Sequence, residues 1–387
     1  MISRRKLISG AAALATAAML PSNPAGAISG IIPGAIRWDA WYGSTPGSSE
    51  SGVNGAVDIS LGPAQWQPRA PWFASPVSAY LNSINGGTQA TIDEEINLAA
   101  QAGLKYWAYC WYGQQTPDSS MQIAWHLHQS SSVASRMNWC LLLQFTRTGT
   151  WAASIPTYVG YFQQANYQKV LGGRPLLYVF IDNLTGLNAW GGSWANVQAG
   201  FKALRSATTA PGLATPYIVI LYGWPPTAAS YATQTGADAI SEYGAGLTSG
   251  IAEPWASAEP GMEAYWASEA AAGMPIVVPC QTGADTRPRS DHPWLGGKPH
   301  FGESVYVVPP TPAQVAAHLQ NAINYIAANP TVCPSKAMLI YSWDECDEGG
   351  NALIPTLGDP PVNTDAGQPL LTSNLLAAIG PVLRAAA

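Results

Sequence analysis

Eight short apolar or aromatic runs, bounded by Gly, Pro or Asp, recur along this chain with helix-like stretches between most of them. That alternation limits the fold more than any other feature. The runs cover residues 36–42, 106–111, 139–145, 176–181, 217–222, 237–243, 275–281 and 337–343. Runs of this length, separated by segments with apolar spacing near 3 and 4, read as parallel strands joined by helical crossovers. The segment 91–103 opens with Thr91 at the N-cap and Glu94 at N3, and Ala- and Leu-rich sequence carries it to Gly103. A second well-marked helix, 312–328, starts after Thr311 with proline at its first position and stops before Asn329-Pro330. Further helices are expected over 122–134, 154–167, 193–207, 229–235, 259–272 and 373–383. Eight such repeats predict an α/β chain closed as a (β/α)8 TIM barrel, a single domain over 28–387. A doubly wound open sheet would need a Gly-rich first turn, and Trp41-Tyr42-Gly43-Ser44 is not G-x-G-x-x-G.

The two longest excursions, 42–91 and 281–311, follow strands 1 and 7 and leave the strands' C-terminal ends, the face that carries barrel active sites. Only 10% of residues are charged, against roughly 25% in an average soluble domain, so carboxylates gathered in one place are informative. The formal net charge of −6 gives no electrostatic footprint for nucleic acid or an anionic membrane. Trp and Tyr number 16 and 17 against 6 Phe. Such rings pair a flat apolar face with a polar handle, which suits wet, hydroxyl-rich ligands.

Residues 1–27 read as an export signal. Ser3-Arg4-Arg5-Lys6-Leu7-Ile8 precedes the apolar run 10–20, which is too short to span a bilayer comfortably, and Ala25-Gly26-Ala27 has the form of a cleavage site. The arginine pair matches a twin-arginine signal, with an ordinary Sec signal as the alternative. The mature chain is then expected in the periplasm or outside the cell. Losing this segment removes three bases and no acid, leaving 14 against 23, or −9. The five cysteines, Cys110, Cys140, Cys280, Cys333 and Cys346, contain no C-x-x-C. A Cys333–Cys346 disulfide and buried free thiols both remain open.

In such a barrel the strand ends project into one bowl. Asp39, Trp41 and Tyr42 follow the first strand, and Tyr109, Trp111 and Tyr112 the second. Gln144, Asp182 and Asn183 come next, then Tyr222 and Trp224, then Glu242 and Tyr243. Asp285 and Arg287 follow the seventh, and Tyr341, Trp343, Asp344, Glu345, Asp347 and Glu348 the eighth. Carboxylates bind hydroxyls through charge-assisted hydrogen bonds and aromatic faces stack on sugar C–H surfaces, so this set points to carbohydrate. Four carboxylates fall in the five positions 344–348, with Glu345 and Glu348 at helical spacing. Glycosidases need one carboxyl held protonated and one ionised. A calcium site is the alternative, although the EF-hand alternation is absent. No cofactor and no metal is expected: Asp285, His292 and His300 lack ligand spacing. His126 and His128 read as solvated or packing residues, and no G-x-S-x-G is present.

Trp343-Asp344-Glu345-Cys346-Asp347-Glu348-Gly349, leading to Pro355-Thr356, resembles the W-N-E-W-x-E-G segment of glycoside hydrolase families 99 and 71. Trp38-Asp39-Ala40-Trp41-Tyr42 and the run from Tyr106 to Tyr112 are similar to that group's aromatic strand ends. Asp344 stands where the family has Asn and Cys346 where it has Trp, and no H-x-E-P-Y segment of the mannan-cleaving members occurs. The resemblance implies a barrel with endo-acting α-mannosidase or α-mannanase chemistry. By that resemblance Glu345 would deprotonate the sugar 2-hydroxyl, which attacks C1, and Glu348 would serve as general acid and then base. The expectation is therefore an exported glycoside hydrolase with Glu345 and Glu348 catalytic. Substrate would be bound by Asp39, Trp41, Tyr42, Trp111, Tyr112, Asp182, Tyr222, Trp224, Glu242, Tyr243, Trp343 and Asp344. A barrel that binds glycan without cleaving it is the alternative. Three geometric expectations accompany this. Glu345, Glu348, Asp39, Asp182 and Glu242 open to one cavity. At least two of Trp41, Trp111, Trp224 and Trp343 present a ring face there. Asp347, Glu345 and a water-excluding Trp343 raise the proton affinity of Glu348.

Overall fold

The computed structural model describes residues 29–41, 56–111, 120–148, 151–244, 252–291, 306–363 and 371–387. The 1–27 segment, Tyr42, Tyr112, His292 and His300 lie outside the described residues. Eight strands form the barrel: β1 (Ile32–Arg37), β2 (Tyr106–Trp111), β3 (Asn138–Gln144), β4 (Arg174–Phe180), β5 (Tyr217–Leu221), β6 (Ala239–Ser241), β7 (Val278–Gln281) and β8 (Ala337–Tyr341). Their order is β7-β8-β1-β2-β3-β4-β5-β6, and every pairing along it is parallel. The ring closes where Ile240 N–H donates to Pro275 O at 2.9 Å and Val277 N–H to Ile240 O at 3.0 Å. The expected (β/α)8 barrel is the fold. Between and after the strands lie α1 (Gln89–Gln101), α2 (Ile123–Ser130), α3 (Trp151–Phe162), α4 (Trp194–Thr209), α5 (Pro225–Thr235), α6 (Trp255–Ala271), α7 (Pro312–Ala328) and α8 (Asn374–Ala386).

Every residue of β2, β5, β6, β7 and β8 is buried, as strands covered on both faces require. Inside the ring Gly34 pairs with Tyr106, and a Cβ at Gly34 would stand 2.0 Å from the Tyr106 ring. The missing side chain admits a phenol whose hydroxyl meets the Tyr178 hydroxyl at 2.7 Å and Met338 O at 3.0 Å.

Several boundaries differ from the sequence reading. β1 stops at Arg37 although the aromatic run continues, because Trp38 N–H turns to the Asp344 carboxylate at 2.7 Å instead of a neighbouring strand. The N-cap of α1 is Thr88, not Thr91: Thr88 Oγ1 accepts from Thr91 N–H at 3.2 Å, so the helix starts earlier. α5 begins at Pro225, using proline in its first turn where no helical N–H is lost. α7 carries the expected start, with Thr311 and Gln314 forming a capping box. All five cysteines are free and buried, so Cys333–Cys346 is not a disulfide. Among the described residues no helix is long and apolar enough to cross a membrane.

Candidate active site

The turn after β8 builds the centre. Ser342 Oγ accepts from Glu345 N–H at 3.0 Å, while Glu348 and Gly349 N–H groups donate to Glu345 O at 3.2 and 2.9 Å. This single helical turn sets Glu345 and Glu348 on one side, as their spacing predicts. The Glu345 carboxylate accepts from the Tyr243 hydroxyl and, at 3.1 Å, from the Tyr341 hydroxyl. Tyr243 is braced by Phe180, stacked at 4.7 Å, and by Cys110 Sγ at 3.2 Å. Two phenols from β6 and β8 ends thus aim one carboxylate.

Arg289, on the short helical turn Arg287–Asp291 after β7, ties the remaining acids together. Its Nε and Nη2 chelate Asp347 at 2.8 and 2.9 Å, its Nη1 pairs with Glu348, and Nη2 lies 3.8 Å from Glu345 Oε2. Ser60 Oγ adds a hydrogen bond to Asp347 Oδ2 at 2.6 Å. Burial alone would lower the Arg289 guanidinium, but Asp347, Glu348 and Glu345 outweigh it and hold the cation well above its usual range. This corrects the expectation that Asp347 and Glu345 act on Glu348 as bare like charges, because a guanidinium stands among all three. Sequence reasoning missed Arg289. The signal was Arg287-Pro288-Arg289 in an active-face loop of a chain with 17 bases, beside acids that need a cation.

A second network lies inside the mouth of β1. Arg37, fully buried, pairs with Asp39 at 2.9 Å and with Glu95 of α1 at 2.6 Å, and its guanidinium sits 4.5 Å from the Trp107 ring centre. Trp343 Nε1 donates to Glu95 Oε2 at 2.7 Å. Trp343 therefore points into this network, away from a solvent-facing role. Trp41 and Trp343 are 0% exposed and Trp111 is 4%, the last packed against Trp125, Trp139 and Tyr161. The expectation of two exposed ring faces among the four tryptophans is not met. The indoles fill space between strand ends and helices, and Trp224, half-buried at the N-cap of α5, is the exception.

The other expected residues divide. Asp39, Asp344 and Tyr243 stand beside the Glu345–Glu348 turn, all buried. Asp182 is half-buried with both oxygens on Thr146, at 3.0 Å from its N–H and 2.5 Å from its hydroxyl. Glu242 accepts from Gly244 N–H at 3.3 Å and faces Tyr265 and Glu269 of α6. Tyr222 is half-buried, edge-on to Tyr231 at 5.1 Å. Asp285 is saturated by Arg287 at 2.7 Å and Arg69 at 3.1 Å. His126 is exposed and His128 buried between the Tyr109 hydroxyl and Met137 O, matching their packing and solvated readings. A hollow of about 370 Å³ beside the turn is lined by Arg69, Cys346, Asn351 and Asn374, and its lining holds neither Glu345 nor Glu348.

One group of potential metal ligands occurs among the described residues: Glu259 and Glu263 of α6 with His318 of α7. His318 Nε2 accepts from Gln281 N–H at 3.3 Å, which leaves the neutral ring's proton on Nδ1. That nitrogen faces Glu263 at 3.6 Å and Glu259 at 3.8 Å. A histidine metal ligand needs a lone pair on the coordinating nitrogen and usually donates from the other. His318 has the reverse arrangement, so the chemistry is a carboxylate–imidazole contact.

Asp344 is fully buried, its Oδ1 accepts from Trp38 N–H at 2.7 Å, and its Oδ2 has no hydrogen-bond partner among the described residues. Burial pushes its carboxyl well above the usual range and Asp39 raises it further, against Arg37 and the Trp38 N–H. A neutral Asp offers the same acceptor as Asn, the residue of the W-N-E motif, so this departure is chemically small. Because the folded form holds a proton that the unfolded form releases, stability falls as pH rises above about 4, by up to about 1.4 kcal/mol per unit. Asp344→Asn removes that slope. Urea midpoints for variant and wild type should agree near about pH 4 and separate in the variant's favour toward about pH 7. Parallel midpoints across that window would show that Asp344 is ionised in the fold.

No protein-family model matches the chain, and no curated protein matches its sequence. Among the solved structures that share the fold are two of the family 99 endo-α-mannosidase from Bacteroides thetaiotaomicron. One has a TM-score of 0.53 at 14% identity, covering 92% of this chain and 95% of the other. The second, in complex with bis-tris propane, has a TM-score of 0.51 at 14% identity, covering 92% and 94%.

Proposed function

We propose that this chain is an exported glycoside hydrolase acting on an oligosaccharide or polysaccharide. Glu345 is the base and Glu348 the acid and then base. The observation that carries the reading is the turn after β8, which presents these two carboxylates on one side at the face where barrels do chemistry. Their surroundings differ in the way such chemistry needs. Glu345 is oriented by two phenol donors, which suits a group that takes the proton of a sugar hydroxyl. Glu348 instead pairs with the Arg289 guanidinium, which Asp347 also chelates, so the two carboxyls meet different partners. In the mechanism carried by the sequence resemblance, the 2-hydroxyl attacks C1 as Glu345 removes its proton and Glu348 protonates the leaving oxygen. Water then attacks C1, Glu348 taking its proton, as the C1–O2 bond breaks and Glu345 returns its proton to O2.

The activity named for the structural neighbours makes α-linked mannosides the first substrates to test. Protein from residue 28 onward is incubated with α-manno-, α-gluco- and β-linked oligosaccharides, and products are resolved by mass beside a Glu348→Gln control. Fragments from at least one glycan, absent in the control, are expected. Binding without cleavage would favour a non-catalytic glycan-binding barrel. Export is tested separately by fusing residues 1–27 to a reporter that is active only outside the cytoplasm.

A further inference from the structure

β7 ends on Gln281, a buried amide with no structural employment. It is 1% exposed, and neither its amide oxygen nor its amide nitrogen has a hydrogen-bond partner among the described residues. Its backbone is firmly held. Gln281 N–H donates to His318 Nε2 at 3.3 Å, and Thr282 donates to Tyr341 O from its N–H at 3.1 Å and its hydroxyl at 2.9 Å. The strand end is fixed while its side chain is left unpaired, and burying an unpaired amide costs free energy that an apolar residue would avoid.

Register fixes where that amide looks. Gln281 pairs with Tyr341 across β7 and β8, and laterally paired residues put their side chains on the same face of a sheet. Tyr341 uses its hydroxyl on Glu345 Oε2 at 3.1 Å, so Gln281 shares the face that presents Glu345. On the other side stands Gly244, next to Tyr243, the second phenol on Glu345. A Cβ on Gly244 would lie 3.7 Å from Gln281 Nε2 and 3.9 Å from the Tyr341 ring. With glycine there, position 244 places no side chain against the amide or the Tyr341 ring.

We infer that Gln281 is a specificity-determining residue that reads the hydroxyl pattern of the sugar lying against Glu345. Nε2 donates to one hydroxyl and Oε1 accepts from its neighbour. An amide carries one donor end and one acceptor end side by side, which matches a gauche vicinal diol and no single hydroxyl. The class selected is a pyranoside with two adjacent free hydroxyls at that position, over its deoxy or O-substituted analogues. Such rejection is strong because the analogue leaves a buried polar group unpaired, whereas an apolar wall discriminates weakly. This inference rests on the glycan-processing reading and deepens it.

Gln281→Met keeps length and volume and removes both hydrogen-bonding ends, and Gln281→Glu keeps acceptors alone. The probes are methyl α-mannopyranoside, methyl α-glucopyranoside, methyl α-galactopyranoside and their monodeoxy analogues, with binding followed by calorimetry and free-protein stability by thermal unfolding. Gln281→Met is expected to unfold at a higher temperature than wild type. It should bind the preferred parent glycoside about 10–100-fold more weakly, and its preference for parent over deoxy sugar should fall to near unity. Gln281→Glu should lose the preference at the hydroxyl that Nε2 serves. A purely structural amide would give the opposite pattern, a lower unfolding temperature with the preference intact, and would overturn the inference. If the wild type binds and discriminates while Gln281→Met discriminates equally, this inference alone falls. If the wild type binds none of the glycosides, it falls together with the glycan-processing reading.

Discussion

Replacing Glu345 or Glu348 by glutamine should cut turnover about 10²–10⁴-fold while glycan binding stays within about an order of magnitude of wild type. Either substitution preserves shape and removes a titratable oxygen. Glutamine at 345 still offers an acceptor to one of the two phenols, and at 348 it leaves Arg289 chelated by Asp347, so the turn should persist. The two variants should then differ by substrate. With an aryl glycoside, whose leaving group needs no proton, Glu348→Gln should recover much of its loss in the first step. Glu345→Gln should not, because the nucleophilic hydroxyl still needs its proton removed. Comparing kcat/KM for aryl and natural glycosides in both variants makes the split visible. Activity near wild type in both would remove these residues from the chemistry and leave Glu242 and Asp182 as the next carboxylates to test.

The barrel was legible because its signal repeats: a strand misread by several residues still counts as one strand. That is what happened at β1, where Trp38 and Trp41 prolong the apolar pattern after the ladder has ended at Arg37. The Glu345–Glu348 turn was legible for a local reason, since spacing along one turn sets a common face. What sequence could not show were long-range partners. Arg289 lies 58 positions from Asp347, and Arg37 is 58 positions from Glu95. No short-range pattern marks either pair. The tryptophans failed for a related reason: the same indole serves as sugar platform or as packing, and only the neighbours decide. Trp343 lost its expected place at the mouth because Glu95, on α1, offered its N–H a buried acceptor.

Arg289→Met should lower the unfolding free energy by about 3–5 kcal/mol and abolish turnover together. The arginine is 3% exposed and serves Asp347, Glu348 and, at longer range, Glu345. Methionine fills similar space but strands those acids without their cation, and an uncompensated buried charge costs far more than the pair gains. Ser60 remains on Asp347 and cannot replace a full charge. The defect should therefore shrink in acid, where protonation removes the stranded charges, so the variant gains on wild type as pH falls. Arg289→Lys should lie between them, because a point charge cannot chelate Asp347 and reach Glu348 at once. Arg205→Met provides the contrast. Its partner Asp238 keeps Arg174 at 2.7 Å, and both partners are about one-fifth exposed, so its loss should cost under about 1 kcal/mol. Urea unfolding of the three variants at neutral and acid pH, with turnover measured alongside, decides the matter. An Arg289→Met protein as stable and active as wild type would mean that the acids after β8 are neutral without their arginine. The proposed division of labour between Glu345 and Glu348 would then have no electrostatic basis.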